Sequence, residues 1–111
     1  MSTSSDSEPP SPKSSLVYEV RAANEARLDK ELRRVRKSRI ADYDRIEHAI
    51  GDLARAPRPE GIEPLGDNVF RLRSGDWRVI YKILDSEARI IIGGVRRRNE
   101  RTYKDTSALF N

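Results

Sequence analysis

The chain has 111 residues, 36% of them hydrophobic, and a formal net charge of +4. This length fits one domain with a modest core. Cysteine is absent and His48 is the single histidine, which excludes disulfides, thiol nucleophiles and, within one chain, a histidine pair. No apolar run approaches the roughly 20 residues of a membrane span, and the N-terminus lacks the apolar region of a signal peptide. A cytoplasmic protein is therefore expected.

The N-terminal residues 1–15 are Ser, Pro and charged residues, with no large apolar side chain after Met1. Such a segment buries too little apolar surface to offset the entropy of ordering it. We therefore predict a disordered tail at 1–15 and one folded domain at 16–111.

A strand and a first helix are predicted next. Residues 16–20 alternate apolar and polar side chains, which is typical of a strand. Asn24 is a candidate helix N-cap. Apolar residues then recur at spacings of four and three: Leu28, Leu32 and Val35.

A second helix follows with almost no connection. Ser38 is its candidate N-cap, and its apolar residues also have helical spacing: Ile40, Tyr43, Ile46, Ile50 and Leu53. It should end near Ala56, because Pro57 and Pro59 cannot continue a helix. On this pattern the two helices form an antiparallel hairpin, His48 lies on its surface, and residues 57–68 are a connection rich in Pro and Gly.

Residues 69–103 predict three antiparallel strands. Residues 69–73 alternate strictly, residues 77–84 resume after a short Gly-containing turn, and the uniformly apolar residues 90–92 indicate a strand inside the sheet. Gly93 and Gly94 suggest a bulge or a close backbone approach. The expected fold is α+β: an N-terminal strand, then a two-helix hairpin on one face of a four-stranded, mainly antiparallel sheet. Nothing in the sequence is left to cover the other face.

Positive charge is concentrated in the C-terminal half. Residues 69–104 contain ten Lys or Arg against four acids, whereas residues 16–68 contain eleven of each. Alternation places Trp77 and Tyr81 on the core face and Arg78 on the open face, beside Arg71 or Arg73. Two interpretations remain open at this point. The arginines are either solvent-exposed strand residues that only keep the sheet soluble, or they form a phosphate-binding surface of guanidinium groups.

Two motifs, RLRSGDWRVIYKI at 71–83 and IIIGGVRRRNERTY at 90–103, together resemble the RelE/ParE superfamily of bacterial toxins from toxin-antitoxin pairs. In the RelE-like branch, the resemblance implies a ribosome-dependent mRNA endoribonuclease. It implies four catalytic residues: Arg78 on the scissile phosphate, Arg98, Tyr103 and Arg71. Arg71 stands where the family has a lysine, and Val69 stands where it has another. Further basic residues are expected to bind RNA phosphates: Arg73, Lys82, Arg96, Arg97 and Arg101.

The implied chemistry is attack of the ribose 2′-OH on the adjacent phosphate, with arginines stabilising the phosphorane and Tyr103 assisting proton transfer. The resemblance implies no cofactor and no metal. Its implied partners are a cognate antitoxin, the ribosome with mRNA, and operator DNA only through the antitoxin; no membrane is involved. Two alternatives stay open: a ParE-like gyrase inhibitor, and a catalytically degenerate module that only binds its antitoxin.

Overall fold

The computed structural model of the protein describes residues 17–99 and 106–110. Its elements, in chain order, are β1 Glu19–Ala22, α1 Glu25–Ser38, α2 Ile40–Asp52, β2 Glu63–Gly66, β3 Val69–Ser74, β4 Trp77–Leu84, a 3-10 turn Asp85–Glu87, β5 Arg89–Arg97 and a C-terminal 3-10 helix Thr106–Phe110. The predicted tail at 1–15 lies outside the described residues, and the division into tail and domain stays a prediction. Among the residues that the structure describes, neither α1 nor α2 is long and apolar enough to cross a membrane.

The helix hairpin forms as predicted, with one correction at its connection and one at the end of α2, which stops at Asp52 and not near Ala56. Asn24 caps α1: its side chain accepts a hydrogen bond from the Arg27 N–H at 3.0 Å. Ser38 is not the N-cap of α2. Arg39 occupies that position without a side-chain cap bond, because α1 continues through Ser38 and the Arg39 N–H still donates to the Val35 carbonyl at 2.9 Å.

The sheet has five strands in the order β1-β5-β4-β3-β2, not the four expected. β1 runs parallel to β5, and the other neighbours are antiparallel. The unpredicted strand is β2, which lies in the Pro- and Gly-rich segment that appeared to be a plain connection. Pro64 fits there because β2 is an edge strand, where a missing N–H donor leaves no ladder bond broken.

The core lies between the helix hairpin and one face of the sheet. Trp77, Val79, Tyr81 and Ile83 of β4 are each at most 1% exposed and pack with Val35 of α1 and with Ile46 and Leu53 at α2. The predicted alternation in β4 and the predicted burial of Trp77 and Tyr81 are therefore confirmed. His48 is exposed on α2, also as predicted.

The expectation that nothing covers the opposite face is wrong. The C-terminal 3-10 helix lies on part of it, and Leu109 forms a second apolar cluster with Val69 and Ile80. The approach is close at Gly93, where an added Cβ would lie 2.7 Å from the Phe110 ring. The register between β4 and β5 shifts at the same place, between Ile80 and Tyr81, so both the predicted bulge and the close approach occur.

Candidate functional site

A row of arginines crosses the open face of the sheet, which is the face away from the helices. Arg73 of β3, Arg78 of β4 and Arg96 of β5 are direct partners across the strands, so their side chains leave the same face. Arg71 lies two residues before Arg73 on β3. Three of these arginines share one cavity of about 210 Å³, whose lining is Gly61, Glu63, Arg71, Arg73 and Arg78.

Glu63 of β2 is the acidic member of this cavity. Its Oε1 accepts a hydrogen bond from Nη2 of Arg71, and its side chain is 56% exposed against 21% for Arg71. Sequence reasoning missed Glu63 because the missed strand β2 carries it. The signal available in the sequence was weak, since an acidic residue in a Pro- and Gly-rich segment is common in loops.

The Arg78 side chain is oriented by the tight turn between β3 and β4. Its Nη1 donates to the carbonyl oxygens of Gly75 at 2.9 Å and Trp77 at 2.8 Å. Gly75 has a φ of 59°, a left-handed conformation that glycine adopts without strain. The turn therefore fixes the guanidinium group of Arg78 at the rim of the cavity.

Arg98 lies at the same turn. Its backbone N–H donates to the Asp76 carbonyl at 2.8 Å, and its Nε lies 3.9 Å from Oδ1 of Asp76. Both side chains are more than 60% exposed, at 66% and 71%. Arg98 is thus near Arg78, but its side chain extends into solvent.

Arg96 belongs to the arginine row but is bound by α1. Its Nη1 donates to Oε2 of Glu31 at 2.5 Å, while Oε1 of Glu31 accepts from the Val95 N–H at 2.9 Å. The two charged side chains are 13% and 14% exposed. Glu31 therefore offsets the charge of Arg96 and binds a backbone donor of β5, a pairing that no local pattern in the sequence reveals.

The remaining predicted residues lie elsewhere. Lys82 is opposite Val69, beyond the apolar cluster, with its ammonium nitrogen 6.0 Å from the centre of the Phe110 ring. Arg97 points to the helix face, where its guanidinium lies 4.6 Å from the Trp77 ring. Val69 is 7% exposed and packs in the apolar cluster. Tyr103 and Arg101 lie outside the described residues, so their roles stay predictions.

The cavity thus combines three guanidinium groups with one carboxylate. Guanidinium groups bind phosphate oxygens, and a carboxylate can accept a proton from a hydroxyl group. Within residues 17–99 and 106–110, no three His, Asp or Glu side chains group closely enough to hold a metal ion. The arrangement is suited to a phosphodiester bound on the open face of the sheet.

Three solved structures similar to this fold come from toxins or toxin-antitoxin complexes. The chain is 27% identical to one chain of the toxin-antitoxin complex RelBE2 of Mycobacterium tuberculosis, with a TM-score of 0.58 over 78% of this chain and 97% of the matched chain. It is also 27% identical to one chain of the archaeal RelE–RelB complex of Pyrococcus horikoshii OT3, with a TM-score of 0.61 over 77% of this chain and 99% of the matched chain. The free E. coli toxin RelE, in mutant form, has a TM-score of 0.56 over 83% and 92% at 17% identity, which supports the fold alone. None of the curated proteins compared with the chain gave a significant sequence match.

The fold and these similarities define a toxin of the RelE/ParE superfamily. The sequence model of one family, described as "ParE toxin of type II toxin-antitoxin system, parDE", matches residues 18–102. The chain belongs to this family.

Proposed function

We propose that this toxin is a ribosome-dependent endoribonuclease that cleaves mRNA by attack of the ribose 2′-OH on the scissile phosphate. The observation that carries the proposal is the cavity on the open face of the sheet that Arg71, Arg73 and Arg78 line together with Glu63. The 27% identity to a mycobacterial and an archaeal chain from RelE-type complexes supports it.

The arginines supply fixed positive charge for the phosphate. Arg78 is oriented by two backbone carbonyls, so little reorganisation is needed when negative charge develops on the phosphorane. Arg73 is its direct neighbour on β3 and is exposed. Together they bind the non-bridging oxygens while the 2′-oxygen attacks phosphorus and the bond to the 5′-oxygen breaks.

Glu63 is the proton acceptor for the 2′-OH in this proposal. It is the carboxylate among the residues that line the cavity, and its pairing with Arg71 keeps it beside the phosphate-binding groups. The 5′-oxygen leaving group also needs a proton. Tyr103 is the candidate donor, a role that rests on the family resemblance.

The partners follow from this activity and from the relatives. The mycobacterial and archaeal relatives were solved as toxin-antitoxin and RelE–RelB complexes. We propose that this toxin is likewise inhibited by a cognate antitoxin, reaches operator DNA only through that protein, and acts in the cytoplasm on ribosomes carrying mRNA.

A second candidate function is inhibition of DNA gyrase without RNA cleavage. One observation favours it: the family model that matches residues 18–102 is that of the ParE toxins. Burial of Val69, at a position where the resemblance expects a lysine, is consistent with it. A gyrase inhibitor would not need the carboxylate inside the arginine cavity.

The two functions are separated by assaying the purified chain on programmed 70S ribosomes and on purified gyrase in parallel. The nuclease should leave a 2′,3′-cyclic phosphate or 3′-phosphate end, and message with a 2′-methoxy group at the scissile position should resist cleavage. Intact message together with inhibited supercoiling would reject the nuclease and select the gyrase inhibitor.

A matched pair of variants tests the role of Glu63. Glu63→Gln keeps the size of the side chain and removes the proton acceptor, so single-turnover cleavage should slow by about 100- to 10,000-fold. Glu60→Gln removes an exposed acid three residues earlier that does not line the cavity, and it should cleave like the parent. Equal rates for Glu63→Gln and the parent would refute the assignment.

A further inference from the structure

The indole ring of Trp77, the first residue of β4, is held by polar groups although it lies in the core. Its Nε1 donates a hydrogen bond to Oδ2 of Asp42 on α2 at 3.3 Å. The guanidinium carbons of Arg34 on α1 and Arg97 on β5 lie 5.7 Å and 4.6 Å from the ring centre, which suits cation–π contacts. Trp77 is 1% exposed. Its orientation is therefore fixed by charged side chains from both helices and from β5.

Asp42 connects α2 to the turn between β3 and β4. Its side chain is 16% exposed, and its Oδ1 lies 3.8 Å from Nη1 of Arg45. The same nitrogen is close to the turn, since a Cβ added to Gly75 would lie 3.3 Å from it. An acid in the first turn of a helix interacts favourably with the helix dipole. Asp42 has a second role here, because it satisfies the N–H of a buried indole that would otherwise lack a partner.

The backbone around Trp77 carries the hydrogen bonds that orient Arg78. Nη1 of Arg78 donates to the carbonyl oxygens of Gly75 and Trp77. Trp77 thus supplies both the ring that Asp42 holds and a carbonyl that Arg78 uses. A shift of Trp77 would displace this acceptor, and with it the guanidinium group of Arg78 at the cavity.

From these contacts we propose that Asp42 is a positioning residue for the nuclease site. By holding the indole of Trp77, it fixes the start of β4 and the guanidinium group of Arg78 that binds the scissile phosphate. The inference rests on the proposed function, because the position of Arg78 affects a rate only if a phosphate reacts beside it. Asp42 is not among the residues that line the cavity, so its role requires no contact with RNA.

The test is a double-mutant cycle on single-turnover cleavage of message on programmed 70S ribosomes. Asp42→Ala should slow cleavage by about 10-fold or more, since misplacing a reacting group by about 1 Å can cost about 100-fold. Ribosome affinity should change by less than about twofold, because the affected contact is made in the transition state. When Arg78 is already replaced by Ala, Asp42→Ala should slow cleavage by less than about twofold, because the side chain that it positions is gone. Equal slowing in both backgrounds would overturn the proposal.

Three further variants separate the hydrogen bond from the charge of Asp42, and all are assayed at a temperature at which circular dichroism shows them folded. Asp42→Asn keeps an oxygen acceptor for the indole and should keep most of the parental rate. Trp77→Phe keeps an aromatic ring without the donor and should resemble Asp42→Ala. Asp44→Ala is the matched control, which removes an exposed acid of the same helix and should cleave like the parent. If Asp42→Asn were as slow as Asp42→Ala, a charge effect on α2 would replace the proposal.

A second measurement reports the contact without any activity. Trp77 is the single tryptophan of the chain, so NMR spectra contain one indole N–H signal. Exchange of this proton with water should accelerate in Asp42→Ala and should match the parent in Asp44→Ala. An unchanged exchange rate in Asp42→Ala would contradict the proposal. A parent that leaves message intact would reject both the nuclease function and the positioning role, whereas a parent that cleaves, with an unaffected Asp42→Ala variant, would reject the positioning role alone.

Discussion

The two faces of the sheet differ in what their side chains do, although one strand supplies both. On the helix face, Trp77, Val79, Tyr81 and Ile83 are at most 1% exposed and form the main core. On the open face of the same strand, Ile80 is 0% exposed beneath the C-terminal 3-10 helix, whereas Arg78 is half-buried at the cavity. The open face is therefore divided, with one part contributing to stability and the other available for binding. Replacing Arg78 should therefore affect mainly activity, and replacing Ile80 should affect mainly stability.

The largest expected effect is on activity and comes from Arg78→Ala. Removing one preoriented donor from a transition-state site typically costs about 100- to 1,000-fold in rate, so single-turnover cleavage on programmed ribosomes should fall by that factor. Unfolding free energy should change by roughly 1 kcal/mol or less, because no core side chain is removed. Arg55→Ala, an exposed arginine after α2, is the control and should cleave normally. A large loss of stability without loss of activity would show that Arg78 belongs to the core.

The next effect is on stability and comes from Ile80→Ala on the open face. Ile80 is 0% exposed in the cluster with Val69 and Leu109, so its truncation should cost about 2–5 kcal/mol of unfolding free energy. Ile83→Ala on the helix face, also at a 0% exposed residue, should cost a similar amount. Urea unfolding of both variants makes the comparison. A loss below about 1 kcal/mol at Ile80 alone would mean that the C-terminal 3-10 helix does not cover this face in solution.

Local patterns predicted most of the elements that depend on neighbours in sequence, with the N-cap of α2 as an exception. The alternation in β4, the cap at Asn24 and the helical spacing of Val35 with its apolar neighbours are short-range signals, and each was confirmed. The edge strand β2 was missed because its pairing with β3 depends on tertiary placement, and Pro64 argued against a strand. The cover on the open face was missed for a similar reason, since Leu109 reaches Val69 and Ile80 from the far end of the chain.

The candidate site was predictable to a lesser extent than the fold. The family resemblance selected Arg78 and Arg71, and the cavity contains both. Neither the resemblance nor the pattern indicated which cations have carboxylate partners. Arg96 is bound by Glu31, 65 residues away in sequence, and Arg71 by Glu63 on the missed strand. Such pairs depend on how α1 and β2 pack beside the sheet, which the sequence does not display locally.

The smallest expected effect concerns the pH dependence of stability and comes from Tyr81, the buried tyrosine on the helix face. Burial raises the pKa of Tyr81 from its usual value near 10 to about 12, and its hydroxyl donates to the Pro57 carbonyl at 2.8 Å. Because the neutral form is favoured in the folded state, this contribution to stability is complete below pH 10 and is lost as pH rises through 12. At pH 11 the parent should have lost about 1.4 kcal/mol relative to pH 8 through this group, and Tyr81→Phe should lack that loss. At pH 8 the variant should be less stable by about 1 kcal/mol, the usual net value of one hydrogen bond. Urea unfolding of both proteins at the two pH values gives the difference, and parallel pH dependence would mean that the Tyr81 hydroxyl is not buried in the folded state.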